Sequence, residues 1–122
     1  MPHDTRQRAE RKGRQAEWFA ILSYLLRFYW PIAIRARTRA GEIDLVLRRR
    51  QMLVFAEVKY RSHLDEAAFA LTARQQQRIA RAAASFLSSR PHFSRFVCRF
   101  DVVCVAPWQW PRHVENAFLA AP

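Results

Sequence analysis

The sequence predicts one α/β domain whose elements follow the order α-β-β-β-α-β. Two segments carry apolar residues at three- and four-residue spacing, which is typical of amphipathic helices. Between them the spacing changes to two, which is typical of strands, and a further strand pattern follows the second helix. The chain has 122 residues, a length that suits a single domain with its own core, so residues 1–122 are treated as one domain.

The first helix is predicted from about Arg11 to Tyr29, and Pro31 ends it because proline cannot continue a helix. One apolar stripe contains Ala16, Phe19, Leu22 and Leu26, and a neighbouring stripe contains Trp18, Ile21, Leu25 and Phe28. A helix that is apolar on two sides is expected to be largely buried. Residues 1–10 are polar and basic and are expected to form a flexible arm.

We do not expect the first helix to be a membrane segment or a secretory leader. Basic residues precede its apolar run, but Glu17 opens the run, Arg27 interrupts it and no small-x-small cleavage site follows. The run is also too short to span a bilayer. The two cysteines, Cys98 and Cys104, cannot form a disulfide framework, which is typical of a reduced intracellular protein, so a cytoplasmic location is expected.

Three consecutive strands, a second helix and a fourth strand follow. Their predicted ranges are Ile32–Thr38, Glu42–Leu47 and Met52–Tyr60 for the strands, Thr72–Leu87 for the helix and Arg95–Val105 for the last strand. Short turns between the first three strands predict an antiparallel meander. Residues 106–122 are expected to form a short tail that packs on the core. There Trp108 and Trp110 would cover the edge of the core, and stacking on exposed bases is the alternative.

The charge of the chain indicates a polyanionic partner. Lys and Arg number 21 against 10 Asp and Glu, a net charge of +11, whereas an apolar fraction of 51% excludes a disordered basic tail. Nucleic acid is the expected partner, and an anionic membrane surface is the alternative. The arginines expected to contact phosphates lie on one face of the first strand and one stripe of the second helix: Arg35, Arg37, Arg39, Arg74, Arg78 and Arg81.

Acidic residues occupy two predicted strands at positions where a core strand would have none. Asp44 is expected on the face opposite Ile43 and Leu45, and Glu57 shares a face with Lys59 at the end of an apolar run. Buried charges without a partner cost on the order of several kcal/mol each. Mg²⁺ would compensate them, because it takes a few carboxylate oxygens and completes its shell with water and phosphate oxygens. The alternative is an exposed strand end with an ordinary cross-strand ion pair.

These motifs resemble a known superfamily. An acid on one strand followed by E-x-K on the next is the active-site pattern of PD-(D/E)XK nucleases, and α-β-β-β-α-β is their core order. The chain is similar to the YraN-like family of uncharacterised bacterial proteins through GRQAEWFAILSYLL, GEIDLV, LVFAEVKYR, LTARQQQRIARAAASFL, RFDVV and HVENAF. That family is similar in fold to archaeal Holliday-junction resolvases. The resemblance covers about Gly13 to Phe118 and implies a restriction-endonuclease-like core with a mixed sheet flanked by helices.

The resemblance implies a metal-dependent endonuclease. By position, Asp44 and Glu57 correspond to the metal-binding acids, Lys59 to the catalytic lysine and Glu17 to a helix glutamate near the metal. The implied reaction is Mg²⁺- or Mn²⁺-assisted hydrolysis of a nucleic-acid phosphodiester, with DNA favoured over RNA and Lys59 positioning the nucleophilic water. A homodimer is compatible with the resemblance, because resolvases cut two symmetric strands.

Other interpretations remain open at this point. Gln75 replaces a lysine that the family usually has in the second helix, which favours a non-catalytic nucleic-acid-binding module with the same fold. From residue pattern alone, Glu17 would be an ion-pair partner of Arg14 or Arg27. The two glycines exclude a P-loop, and the four histidines lack metal-ligand spacing, so nucleotide hydrolysis and a zinc site are not expected.

Overall fold

The sheet carries a helix on each of its faces. The computed structural model describes residues 2–65 and 69–118, and the side chains in those ranges from residue 14 onward. The elements are α1 (Pro2–Leu25), β1 (Trp30–Thr38), β2 (Gly41–Arg49), β3 (Met52–Tyr60), α2 (Ala73–Ser88), a short 3₁₀ helix (Pro91–Phe93), β4 (Val97–Val105) and β5 (Arg112–Val114). Helix, three strands, helix and further strands in one mixed sheet confirm the predicted α/β class and match a restriction-endonuclease-like core.

The strand order in the sheet is β1-β2-β3-β4-β5. The first three strands form the predicted antiparallel meander. β3 and β4 run parallel, from Met52 opposite Val97 to Tyr60 opposite Val105. Parallel neighbours need a crossover connection, which α2 supplies. The C-terminal ends of β3 and β4 therefore lie side by side at one end of the sheet.

The core has one apolar layer on each side of the sheet. The layer under α2 includes Ile43, Val46, Leu53, Phe55, Ile79, Phe86 and Phe100. The layer under α1 includes Ala20, Ile21, Tyr24, Leu45, Leu47, Val54, Ala56 and Val103. Residues of β3 alternate between the two layers, as expected for a strand that is buried on both faces. Glu57 and Lys59 consequently belong to the side of β3 that faces α2.

α1 begins earlier than predicted and is less buried. Residues 2–10 belong to the helix, and this segment is rich in Arg, Gln, Glu and Ala, which are good helix formers. The helix contacts the sheet along one stripe, so the side chains of Trp18 and Leu26 remain 64% and 62% exposed. The expectation of two buried sides was wrong. None of the described helices is both long and apolar enough to cross a membrane.

The C-terminal segment contains a strand that the sequence did not predict. β5 pairs with β4 and is three residues long, too short to show a two-residue period. Trp108 adopts a left-handed conformation (φ 61°) and its side chain is fully exposed, whereas Ala106 and Pro111 are buried. The expectation that Trp108 covers the edge of the core was therefore wrong, and Trp110 is itself 55% exposed.

β1 and β2 share an irregularity at the candidate site. Ile34 lies opposite Leu45 and Ala36 opposite Ile43, but the intervening Arg35 has a left-handed backbone (φ 50°). Ile43 packs under α2 while Leu45 packs under α1. The expectation that these two residues share a face was wrong, because the regular pleat is interrupted between them, at Asp44.

Candidate active site

Asp44 and Glu57 lie where β2 and β3 separate. The paired register of the two strands extends from Arg49 opposite Met52 to Leu45 opposite Ala56 and goes no further. Beyond it, the Asp44 carboxylate accepts a hydrogen bond from the Val58 amide at 2.8 Å. The side chain of Asp44 thus replaces the backbone carbonyl that would otherwise accept from the Val58 amide. The interrupted pleat directs this side chain toward β3.

Asp44 and Glu57 both have a raised pKa, and burial is the largest cause for each. Burial is the largest cause of the raised pKa of Asp44, although the hydrogen bond from Val58 partly offsets it. Burial and then the charge of Asp44 raise the pKa of Glu57 to about 7. The groups lie close enough to share a hydrogen bond. Near neutral pH the pair therefore carries less than two full negative charges unless a cation is bound between the two groups.

Glu17 reaches the same centre from α1. Its carboxylate lies 3.2 Å from the Arg35 guanidinium, and its side chain is 14% exposed. Burial raises the pKa of Glu17, the charge of Arg35 lowers it, and the charge of Asp44 raises it. The ion pair that residue pattern alone would assign to Glu17 exists, but its main partner is Arg35 rather than Arg14 or Arg27.

Lys59 is a buried ammonium beside Glu57. Its residue is 8% exposed, and its Nζ donates a hydrogen bond to the carbonyl of Ala70, just before α2. The positive charge of Lys59 opposes the rise in the pKa of Glu57. The alternative interpretation, an exposed strand end with an ordinary ion pair, is wrong. Asp44, Glu57 and Lys59 are all at least partly buried.

The six arginines expected to bind phosphates divide into two groups. Arg35 and Arg78 lie at the acids: Arg78 approaches Glu57 at 3.8 Å and also offsets the raised pKa of Asp44. The others, all exposed, are Arg37, Arg39, Arg74 and Arg81. Arg37 pairs loosely with Glu42, at 3.9 Å. The structure thus brings Glu17, Asp44, Glu57, Lys59, Arg35 and Arg78 together and leaves the remaining arginines around them.

Gln75 has a structural role that the sequence did not reveal. Its side chain accepts a hydrogen bond from the Thr72 amide at 2.9 Å, while the Thr72 hydroxyl accepts one from the Gln75 amide at 3.1 Å. This capping box satisfies amides at the start of α2. The position at which the resembled family usually has a lysine is used here to begin the helix.

The donor set suits a hard divalent cation. Among the described residues there is no group of three or more His, Cys, Asp and Glu side chains placed to hold a metal. Mg²⁺ does not need one, because it commonly takes one or two carboxylates and keeps several water ligands. Asp44 and Glu57 offer two carboxylates whose mutual repulsion a cation would relieve. The residues present therefore fit Mg²⁺ better than zinc, which prefers nitrogen and sulfur ligands.

A second buried polar cluster supports the fold rather than the acids. Asp101 is 1% exposed and accepts hydrogen bonds from the Tyr24 hydroxyl at 2.8 Å and from the Arg99 guanidinium at 2.8 and 2.9 Å. The ion-pair partner of Asp101, Arg99, thus lies two residues away on the same strand. The cluster fixes α1 to β4 on the side of the sheet away from α2.

Comparisons with known proteins agree with the resemblance. The sequence profile of uncharacterised protein family UPF0102, the YraN-like family, matches residues 16–105. A UPF0102 protein from Mesorhizobium japonicum is 47% identical over 117 residues, which cover 96% of this chain and 94% of the relative. A UPF0102 protein from Rhizobium meliloti is 44% identical over 116 residues (94% and 95%), and one from Rhodopseudomonas palustris 49% over 114 (93% and 84%).

Proposed function

Because this chain belongs to the uncharacterised protein family UPF0102, whose name states no activity, we propose from its site that it is a metal-dependent endonuclease acting on nucleic acid. One observation carries the proposal. Two partly buried carboxyl groups, Asp44 and Glu57, lie close together beside the buried ammonium of Lys59, and the pKa of each is raised, chiefly by burial. If the pair had only a structural role, replacing one of the two charged groups by a neutral one would increase the stability of the protein. A cation site requires both carboxylates.

Asp44 and Glu57 would hold Mg²⁺ or Mn²⁺. A cation there would polarise the scissile phosphate and lower the pKa of the attacking water. Arg35 now pairs with Glu17, and Arg78 pairs with Glu57. With a cation in place, their guanidinium groups would be available to phosphate oxygens, which they bind in the same forked geometry.

Lys59 would act on the reacting atoms. The Ala70 carbonyl holds its Nζ in one place, so the ammonium needs no rearrangement to stabilise developing negative charge. Its other protons can hydrogen-bond a water and a phosphate oxygen. Glu17 would be a positioning residue, because it holds Arg35 at the edge of the centre.

We propose DNA rather than RNA as the substrate, since the resembled resolvases act on DNA. The four exposed arginines around the acids would contact the backbone without reading its sequence. A cytoplasmic location and a homodimer remain predictions as well. The molar mass of the purified protein in solution, measured by light scattering, tests the homodimer directly.

The second candidate function is a nucleic-acid-binding module that does not cut. The observation that favours it is Gln75, whose side chain closes the start of α2 instead of reaching toward a phosphate. A module of this kind would have no use for a cation between Asp44 and Glu57.

One experiment separates the two functions. Purified protein is incubated with labelled single-stranded, duplex and four-way-junction DNA and with RNA, in Mg²⁺, in Mn²⁺ and in chelator. Lys59→Ala and Asp44→Asn are run alongside, and binding is measured on the same samples. We expect metal-dependent cutting that both variants lose while they still bind. Binding by all three proteins with no cutting of any substrate would instead favour the binding module.

A further inference from the structure

The end of the sheet away from the acids carries an open cavity of about 930 Å³. It lies between the turn that joins α1 to β1 and the hairpin that joins β2 to β3. Aromatic and basic side chains provide most of its lining, and its main members are Phe28, Trp30, Arg48, Arg49 and Arg50. We name these five residues the aromatic–arginine platform.

The two aromatic rings of the platform are not part of the core. Phe28 is 82% exposed and Trp30 is 71% exposed. Backbone hydrogen bonds fix the turn that carries Phe28, because the amides of Phe28 and Tyr29 donate to Leu25 and Tyr24 at 3.0 Å each. Trp30 begins β1 and lies opposite Arg48 of β2. Two large flat rings are therefore presented to solvent on ordered backbone.

Two arginines of the platform, Arg48 and Arg49, are held by contacts that involve no acidic residue. The Arg49 guanidinium lies 4.2 Å from the centre of the Tyr29 ring and donates to the Arg27 carbonyl. That of Arg48 lies 4.6 Å from the centre of the Phe96 ring and donates to the Arg50 carbonyl. Across the described ranges, each ion pair of the protein involves other cations. The positive charge of this hairpin is therefore available to an external anion.

Exposed rings beside unneutralised arginines have the chemistry of a site for unpaired nucleotides. Every base has a flat face that can stack on an aromatic ring, and the adjoining phosphates attract the guanidinium groups. A blunt duplex offers no free base faces along its length, so it would use the arginines alone. We propose that the aromatic–arginine platform binds single-stranded nucleic acid. The proposal deepens the proposed function, because it assumes a nucleic-acid partner.

The platform and the acids are close enough to hold one substrate. Arg48 follows Asp44 by four residues on β2, which corresponds to roughly 13 Å of strand, or at most about four nucleotide steps at the rise of a duplex strand. The outer residues of β1, from Trp30 to Arg35 and Arg37, run between the two places and are exposed. A substrate at the acids would therefore meet the platform with bases within about four nucleotides of the reacting phosphate. A nucleic acid that is unpaired at that distance suits this surface better than a continuous duplex.

The test measures binding rather than cutting. The full chain is titrated into labelled oligothymidine and into a labelled blunt duplex in chelator, and fluorescence anisotropy is recorded. The variants are Phe28→Ala with Trp30→Ala, the conservative Trp30→Phe, and Trp18→Ala as the matched control, since Trp18 is a ring on α1 with a similar exposure (64% against 71% for Trp30). Thermal unfolding of each variant is measured in parallel to establish that it is folded.

We expect the double variant to bind oligothymidine at least about tenfold more weakly than wild type and the duplex nearly as well, because stacking contributes only to the former. Trp30→Phe keeps a ring and should keep most of the affinity, and Trp18→Ala should bind as wild type does. The platform is refuted if the double variant binds oligothymidine normally, or if single strand and duplex lose affinity equally. It is also refuted if the double variant loses only binding to anionic vesicles, which would make the site a membrane contact.

The failures of the two proposals can be told apart. If wild type binds and cuts duplex through Lys59 while the double variant keeps its affinity for oligothymidine, only the platform is refuted. If wild type binds neither oligonucleotide, the proposed function and the platform are both refuted.

Discussion

At the residue scale, burial and the neighbouring Asp44 carboxylate raise the pKa of Glu57 from 4.5 to about 7. The folded protein therefore holds this proton more tightly than the unfolded chain does. For the metal-free protein, the contribution of Glu57 to stability is fully present below about pH 4.5 and is lost as the pH rises through about 7. Above that pH the charged carboxylate opposes folding, and only a cation would reverse its effect.

Glu57→Gln removes this charge and keeps the shape of the side chain. At about pH 8 in chelator, we expect the variant to be more stable to urea than wild type, by about 1–2 kcal/mol. Mg²⁺ should raise the unfolding midpoint of wild type and leave that of the variant unchanged. Glu115→Gln, at an exposed glutamate that pairs with Arg27, is the matched control. A variant that is less stable than wild type in chelator would contradict the prediction.

His113 gives a pH dependence of the opposite sign. Its Nε2 lies 2.7 Å from the Ser23 hydroxyl, and burial, followed by the charge of Arg27, lowers the pKa of its imidazole from 6.5 to about 4. The unfolded chain binds this proton first, so stability falls as the pH drops from about 6.5 to about 4. We expect wild type to lose about 2 kcal/mol more than His113→Gln over this interval, measured by urea unfolding at a series of pH values. Parallel losses in both proteins would show that His113 is not the titrating group.

At the element scale, the bounds of the strands followed from sequence more readily than the site did. Met52–Tyr60 was predicted with the bounds that the structure shows, because a strand buried on both faces has a long apolar run with turns on either side. Asp44, Glu57 and Lys59 could also be identified from the sequence as candidate site residues. Their hydrogen-bond partners could not, because these lie 11 or more residues away in the chain: the Val58 amide donates to Asp44, and the Ala70 carbonyl accepts from Lys59.

The interruption of β2 at Asp44 shows why part of the site could not be predicted. GEIDLV alternates as a regular strand would, so its pattern places Ile43 and Leu45 on one face. The observed pleat depends on the left-handed Arg35 of the neighbouring strand and on the hydrogen bond from Val58. The exposed side of α1 has a similar cause: its apolar periodicity does not reveal that the sheet covers a single stripe.

Gln75, at the start of α2, is expected to stabilise the fold at the cost of weaker DNA binding, and a substitution can test this. Gln75→Lys restores the residue that is usual in the family and removes the hydrogen bond that Gln75 accepts from the Thr72 amide. We expect a loss of about 0.5–1 kcal/mol in the free energy of unfolding and tighter binding to duplex DNA. Gln77→Lys, at an exposed position of the same helix, adds the same charge without touching the cap. Equal effects of the two variants on both measurements would show that the position of the charge does not matter.

At the scale of the whole molecule, the distribution of charge decides how a nucleic acid would be held. The net charge is +11, and two of the carboxylates at the candidate site, Glu17 and Glu57, are already paired with Arg35 and Arg78. The other four arginines of the predicted set are exposed, namely Arg37, Arg39, Arg74 and Arg81. Because contacts of this type release counterions from the duplex, affinity should depend steeply on salt.

The slope of log affinity against log salt concentration gives the number of phosphates that the protein neutralises. At about 0.9 for each neutralised phosphate, contacts from the four exposed arginines predict a plot of log affinity against log salt with a slope of roughly −3.6. Replacing Arg74 and Arg81 together with glutamine should make the slope shallower by about 2, since each would lose one phosphate. Arg95→Gln, an exposed arginine outside this set, should leave it unchanged. Anisotropy titrations of a blunt duplex over a range of salt concentrations give all three slopes. If the double variant keeps the slope of wild type, α2 does not contact the backbone, and the nucleic acid must approach the acids from the side of β1.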